Sequence, residues 1–150
     1  MRIVIQRVTE AQLSIAGEKY SEIARGVMVL VGVENGDTPE DAAWLAAKTA
    51  GLRIFSDDNG VMNIDIRAAE GQVMAVSQFT LTASTKKGNR PSYIRAAGHD
   101  LAMPLYELYC AELEKILAKP VARGVFGADM QIQLVNDGPV TIIIDSKLKE

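Results

Sequence analysis

The residues that could do chemistry here are scattered, and they form no familiar catalytic set. Ser77-Gln78-Phe79-Thr80 ends an apolar run with three polar side chains in four residues. Read as strand, it points Ser77 and Phe79 to one face and Gln78 and Thr80 to the other. A strand that merely meets solvent at its end gives the same pattern. Thr80 is a nucleophile by residue type, but no base is visible for it, which makes an activated hydroxyl a weak reading. His99, the only histidine, stands alone in Ala-Ala-Gly-His-Asp and reads as a surface residue or the start of a helix. Cys110, the only cysteine, lies in a helical pattern and reads as a small packing residue. No Ser-His-Asp or Cys-His set, G-x-S-x-G elbow, phosphate-cradling glycine loop or zinc cluster can be assembled. Neither a metal nor a cofactor is expected. An enzyme built this way must work through backbone groups, hydroxyls, amides or the substrate itself.

Four other places stand out. Arg7 shares a strand face with Ile3 and Ile5, so its guanidinium is expected to point inward, where backbone carbonyls would serve it. Phe126 lies between glycines in Gly-Val-Phe-Gly-Ala-Asp-Met, either as a core residue or as a face on which a base could stack. Lys86, Lys87, Arg90 and Arg95 follow Thr80 with no acid among them, as a solvated loop or a phosphate contact. Finally, Gly138-Pro139 stands at the mouth of the β-branched run Val140–Ile144, although proline cannot donate to a sheet ladder. Asn-Asp-Gly-Pro is a turn by composition. The alternative is a backbone held in an unusual shape for something to approach.

The elements that must position these groups follow from periodicity. Residues 2–8 and 11–17 alternate as two half-buried strands, and residues 26–33 are continuously apolar, as in a central strand. Thr38 is placed to cap a helix, Pro39 to begin it and Gly51 to end it. A hairpin is predicted around Asn59-Gly60 with a type I′ turn. Another core strand leads into Ser77, and a second helix is predicted over about Pro104 to Leu117. Residues 130–135 and 140–145 read as two last strands. This order implies one α/β domain over residues 1–150, with mixed strands and two helices on one side.

Composition narrows the function. The 150 residues carry 16 basic and 19 acidic side chains, a net charge of −3. That balance speaks against coating a nucleic-acid duplex, and DNA is not an expected partner, but contact with a short nucleic-acid end stays open. No apolar run is long enough for a membrane, the start lacks a signal-peptide layout, and one cysteine forms no internal disulfide. A cytoplasmic protein without membrane contact is expected.

Taken together, Ser77–Leu81, Lys86–Ser92, Phe126–Met130 and Asn136–Thr141 resemble the D-aminoacyl-tRNA deacylase family, in order and at the family's spacing. The likeness extends over essentially the whole chain; Tyr93, where phenylalanine is common, is a small departure. The resemblance implies a barrel-like β core with two main helices packed on one side, in three layers (α/β/β). It implies a homodimer that hydrolyses the ester joining a D-amino acid, or mischarged glycine, to the terminal adenosine at the tRNA 3′ end. It implies a cis Gly138–Pro139 bond that reaches into the partner's active site and rejects L-amino acids. Phe79 and Thr80 are carried over as catalytic, with their backbone N–H groups offered to the oxyanion and the ribose 2′-OH assisting attack. Arg7, Ser77, Gln78, Phe126, Met130, Gly138 and Pro139 are carried over as substrate-binding. Two rivals are a related editing fold that acts on L-serine and a non-catalytic RNA-end binder.

Overall fold

A computed structural model describes residues 1–150. Its main sheet has six strands: β1 (Arg2–Ile15), β2 (Glu18–Ile23), β3 (Gly26–Gly32), β6 (Gln72–Ser77), β7 (Ala122–Arg123) and β8 (Met130–Asp145). Between them come α1 (Pro39–Gly51), a small hairpin of β4 (Phe55–Ser56) and β5 (Met62–Ile64), and α2 (His99–Leu117). β1 pairs antiparallel with β2, β3 and β8, while β3–β6 and β6–β7 are parallel. The sheet curls into a nearly closed barrel, and the two helices cover one of its faces.

The side-chain period of the central strands builds both layers of core. Val27, Val29 and Val31 of β3 face the helices, together with Val73 and Ala75 of β6. Met28 of β3, with Met74 and Val76 of β6, faces the barrel interior. Burial on both faces is why these strands read as unbroken apolar runs.

β1 corrects the expectation of two strands. Ile3 and Ile5 face the helices, but Val8, Ala11 and Leu13 all face the barrel interior. Even positions point inward before the middle of the strand and odd ones after it. The pairing with β8 shifts register between Gln6 and Glu10, where the phase changes. An inserted residue reverses which face each later side chain occupies, so one bulged strand looks like two in sequence. β8 is likewise assigned as one strand through Gly138-Pro139, where two were expected.

The helices follow their punctuation in part. The Thr38 N–H and hydroxyl both donate to the Asp41 carboxylate, at 2.8 and 3.1 Å, and fasten the start of α1. Gly51 is the last helical residue, as expected. α2 begins five residues before Pro104, behind Gly98, whose carbonyl accepts from Leu101 and Ala102. The proline therefore sits inside the helix and removes one internal bond rather than opening it. In the small hairpin Gly60 has φ +75° while Asn59 does not turn positive. The turn is thus not type I′, which needs both. The Asp57 carboxylate instead takes the N–H groups of Asn59 and Val61, at 2.9 and 3.0 Å, and shapes the loop. β2, polar along most of its length, was not foreseen.

Candidate active site

β6 and its parallel neighbour β3 end side by side, and a cavity of about 420 Å³ opens beyond their carboxyl ends. Such ends are where α/β sheets commonly take ligands. The strand reading of residues 77–80 is corrected here. β6 stops at Ser77, and Phe79–Thr82 form a single 3₁₀ turn. This turn lies directly against Gly32 at the end of β3. A Cβ at Gly32 would come within 2.9 Å of the Leu81 Cβ and 3.1 Å of the Gln78 carbonyl oxygen. Any larger residue would push the turn away.

The turn exposes Phe79, a residue 55% accessible whose ring meets that of Tyr93 edge-on at 5.0 Å. The opening amides of a helical turn have no acceptor within it, which leaves the N–H groups of Phe79 and Thr80 as donors. The Thr80 hydroxyl accepts from the Gln78 side-chain amide at 2.5 Å, and Thr82 donates to the Phe79 carbonyl at 2.8 Å.

Ser77, Gln78, Phe79, Phe126 and Met130 all line this cavity. Thr80, the next residue of the turn, does not. Phe126 is half-buried, with Tyr106 6.1 Å away and the His99 ring edge-on at 5.3 Å. It is both a cavity wall and a neighbour of the core. Tyr106 is fixed by its hydroxyl, which donates to the Ala75 carbonyl of β6 at 2.7 Å. Burial raises its pKa far above the ordinary phenol range, so it is a neutral donor and not a base.

His99 is where sequence reasoning fell short. It does begin a helix and is exposed, as read, but it also lines the cavity. The site therefore does contain a histidine. Only the long-range packing of α2 on β6 brings it there, and nothing in its local sequence announces that.

Arg7, Gly138 and Pro139 lie elsewhere. Arg7 Nε donates to the Asp137 carbonyl at 3.1 Å and Nη1 to the Ile54 carbonyl at 2.6 Å, while the Asp137 carboxylate stands 3.3 Å from Nε. Gly138 has φ +125°, and a Cβ there would meet Arg7 Nη2 at 3.0 Å. Glycine is thus required by both the backbone and the guanidinium. The Gly138–Pro139 peptide bond is cis, and both residues are exposed. Ile132 lines the cavity, and Pro139 is seven residues further along β8, a span on the order of 20 Å. Within one chain the two parts do not meet. No three His, Cys, Asp or Glu side chains converge on a metal-sized point, and no helix is long and apolar enough to cross a membrane.

A family model described as D-Tyr-tRNA(Tyr) deacylase matches residues 4–145. A D-aminoacyl-tRNA deacylase of Parabacteroides distasonis is 58% identical over 150 residues, the whole of both chains. One from Flavobacterium johnsoniae is 53% identical over the same span. Among solved structures, a c-Myc DNA unwinding element binding protein superposes with a TM-score of 0.90 at 35% identity, covering 97% of this chain and 98% of that one.

Proposed function

The chain belongs to the D-Tyr-tRNA(Tyr) deacylase family, and from that premise we propose that it clears D-amino acids, and glycine carried by the wrong tRNA, from the tRNA 3′ end. It is a hydrolase of the aminoacyl-tRNA ester bond. The observation that supports this reading best is the Phe79 turn at the rim of a cavity walled by Phe126 and Met130. A flat aromatic wall suits the terminal adenine, and the turn beside it suits the ester carbonyl.

The chemistry asks little of the protein. An aminoacyl ester is already activated, and the neighbouring ribose 2′-OH lies beside its carbonyl at high effective molarity. As water or the 2′-OH attacks, negative charge gathers on the carbonyl oxygen. The Phe79 and Thr80 N–H groups, held by the turn without rearrangement, stabilise that charge. Ser77 and Gln78 line the pocket for the ester, and Phe126 and Met130 hold the nucleoside.

Selectivity is assigned to Gly138-Pro139 of a second copy. The motif is exposed and far from its own cavity, which is what a group serving a partner requires. Its carbonyls would take the substrate ammonium and fill the space an L side chain needs. Arg7 would hold the motif in shape through Asp137. With tRNA as its substrate, the protein is assigned to the cytoplasm. Single-turnover hydrolysis of D-tyrosyl-, L-tyrosyl- and glycyl-tRNA, with and without a chelator, tests the reading. Loss of the D- and glycyl esters alone, unaffected by chelation, is expected.

A further inference from the structure

We propose that the loop from Ala83 to Arg95 grips the phosphate backbone of the tRNA acceptor end while the cavity holds the ester. The inference rests on the function proposed above and adds a second point of contact to it.

The first observation is one of unspent charge. Lys86, Lys87 and Arg90 are exposed and have no ion-pair, hydrogen-bond or cation–π partner. Every other lysine and arginine has one. Arg2, Lys19, Arg67, Lys115, Arg123 and Lys147 pair with carboxylates. Arg7, Arg53, Arg95 and Lys119 donate to carbonyls. Arg25, Lys48 and Lys149 lie over aromatic rings. No acidic residue occurs between Glu70 and Asp100, although acids outnumber bases in the chain as a whole. Three adjacent cations without a counter-charge form a local positive field that attracts a polyanion.

The second observation is that this field has a fixed position relative to the cavity. Ser84 and Ser92 exchange backbone hydrogen bonds, both 2.9 Å, and close the neck of the loop. Arg95 donates to the Thr82 carbonyl at 3.0 Å, and its guanidinium stands 3.7 Å from the Glu34 carboxylate. The Asn35 N–H donates to the Arg95 carbonyl at 2.9 Å. Tyr93 lies edge-on against Phe79, the residue at the cavity rim. The neck is therefore fastened to the wall of the site, and the three cations project from its tip. A substrate whose last nucleoside enters the cavity carries a phosphate for each nucleotide behind it. A phosphate ladder is the ligand that matches both the charge and the placement.

The experiment measures binding of 5′-labelled uncharged tRNA across a KCl series, for the unaltered protein and for a Lys86→Ala/Lys87→Ala/Arg90→Ala variant. Each lost phosphate contact removes about 0.7 to 0.9 from the slope of log affinity against log salt, so the slope should become shallower by about 2. Affinity at low salt should fall at least tenfold, and a Lys86→Arg/Lys87→Arg/Arg90→Lys variant should retain it. Hydrolysis of a D-tyrosyl ester of adenosine, which has no phosphate, should be equal for all three proteins. An unchanged salt slope overturns the proposal. So does loss of tRNA binding in the charge-preserving variant. Failure of the unaltered protein to cleave D-tyrosyl-tRNA strikes the proposed function instead, and the salt slope still decides the role of the loop.

Discussion

Arg7 Nε donates to the backbone carbonyl of Asp137 at 3.1 Å, joining residues 130 positions apart in sequence. A second nitrogen, Nη1, donates to the Ile54 carbonyl, so one planar guanidinium fixes the approach to Gly138 from two directions. Lysine has no such fork. Arg7→Lys should therefore lower kcat/KM with D-tyrosyl-tRNA sharply while leaving a folded protein, as judged by melting. The same geometry tests assembly. An Arg7→Ala chain has a damaged gate, and a Phe126→Ala chain has a damaged cavity. If the gate works across a two-fold dimer, mixing the two impaired chains gives about a quarter of the sites both an intact cavity and an intact gate after subunit exchange, and activity rises accordingly. No recovery on exchange, or a dimer structure with Pro139 nearer the Thr80 of its own chain, removes the cross-subunit arrangement.

Enantioselectivity should exceed what a pocket achieves by size alone. One methylene is worth only about 1–3 kcal/mol of discrimination. Exclusion by backbone should place D-tyrosyl-tRNA ahead of L-tyrosyl-tRNA by more than that, with glycyl-tRNA cleaved. Comparable turnover of the two tyrosyl esters ends the proposed function.

Phe126→Ala should weaken tRNA-ester binding by about 1–3 kcal/mol, the worth of a stacked base. Because Phe126 also packs beside Tyr106 and His99, the melting temperature should drop too. KM for D-tyrosyl-adenosine separates the effects, since Phe126→Leu keeps most of the bulk and loses the aromatic face. Unchanged KM in the leucine variant assigns Phe126 to packing alone.

Thr80 is expected not to be a covalent nucleophile. Its hydroxyl is engaged with Gln78 and does not line the cavity. Thr80→Ala should cost no more than one hydrogen bond, about 0.5–1.5 kcal/mol. Replacing the terminal 2′-OH of a 3′-linked ester by hydrogen should cost far more. His99 does line the cavity, so His99→Ala must accompany the test. A general base contributes about 10²–10⁴-fold. A loss of that size in kcat, or a trapped acyl-Thr80, defeats assistance by the substrate.

Stability should fall in acid through Asp41. Partial burial works to raise its pKa, but hydrogen bonds from Lys147, Ser146 and Thr38 outweigh this and hold the carboxyl well below the usual range. The folded pKa lies under the unfolded one, so the contribution is present above about pH 4 and is lost as pH falls further. Asp41→Asn should lower the melting temperature at neutral pH and flatten its decline from pH 5 to 3. An equal decline in both proteins assigns the acid sensitivity to other carboxylates.

The legible parts of this fold were those written in local chemistry. Thr38 and Pro39 announce α1 because a helix start has unsatisfied N–H groups that only nearby side chains can reach, and because proline has no N–H to lose there. The apolar strands announce themselves because both of their faces are covered. What was hidden depends on distant packing. The bulge that makes β1 one strand is set by its pairing with β8, and the turn at Phe79 by how closely it packs on Gly32. His99 reaches the cavity only because α2 is fastened to β6 through Tyr106. β2 escaped notice because an edge strand with exposed faces needs no apolar alternation.

Cys110 sits on the inner side of α2, wholly buried between helix and sheet, and burial pushes its thiol up to about 12. A thiol reagent needs both access and thiolate, and in the closed molecule this sulfur offers neither. The reagent can react only during moments when α2 lifts from the sheet. Since no other cysteine competes, the labelling rate directly counts those openings. Saturating the cavity with an adenosine ester should slow the labelling if His99, at the first turn of the same helix, is braced by what lies in the cavity.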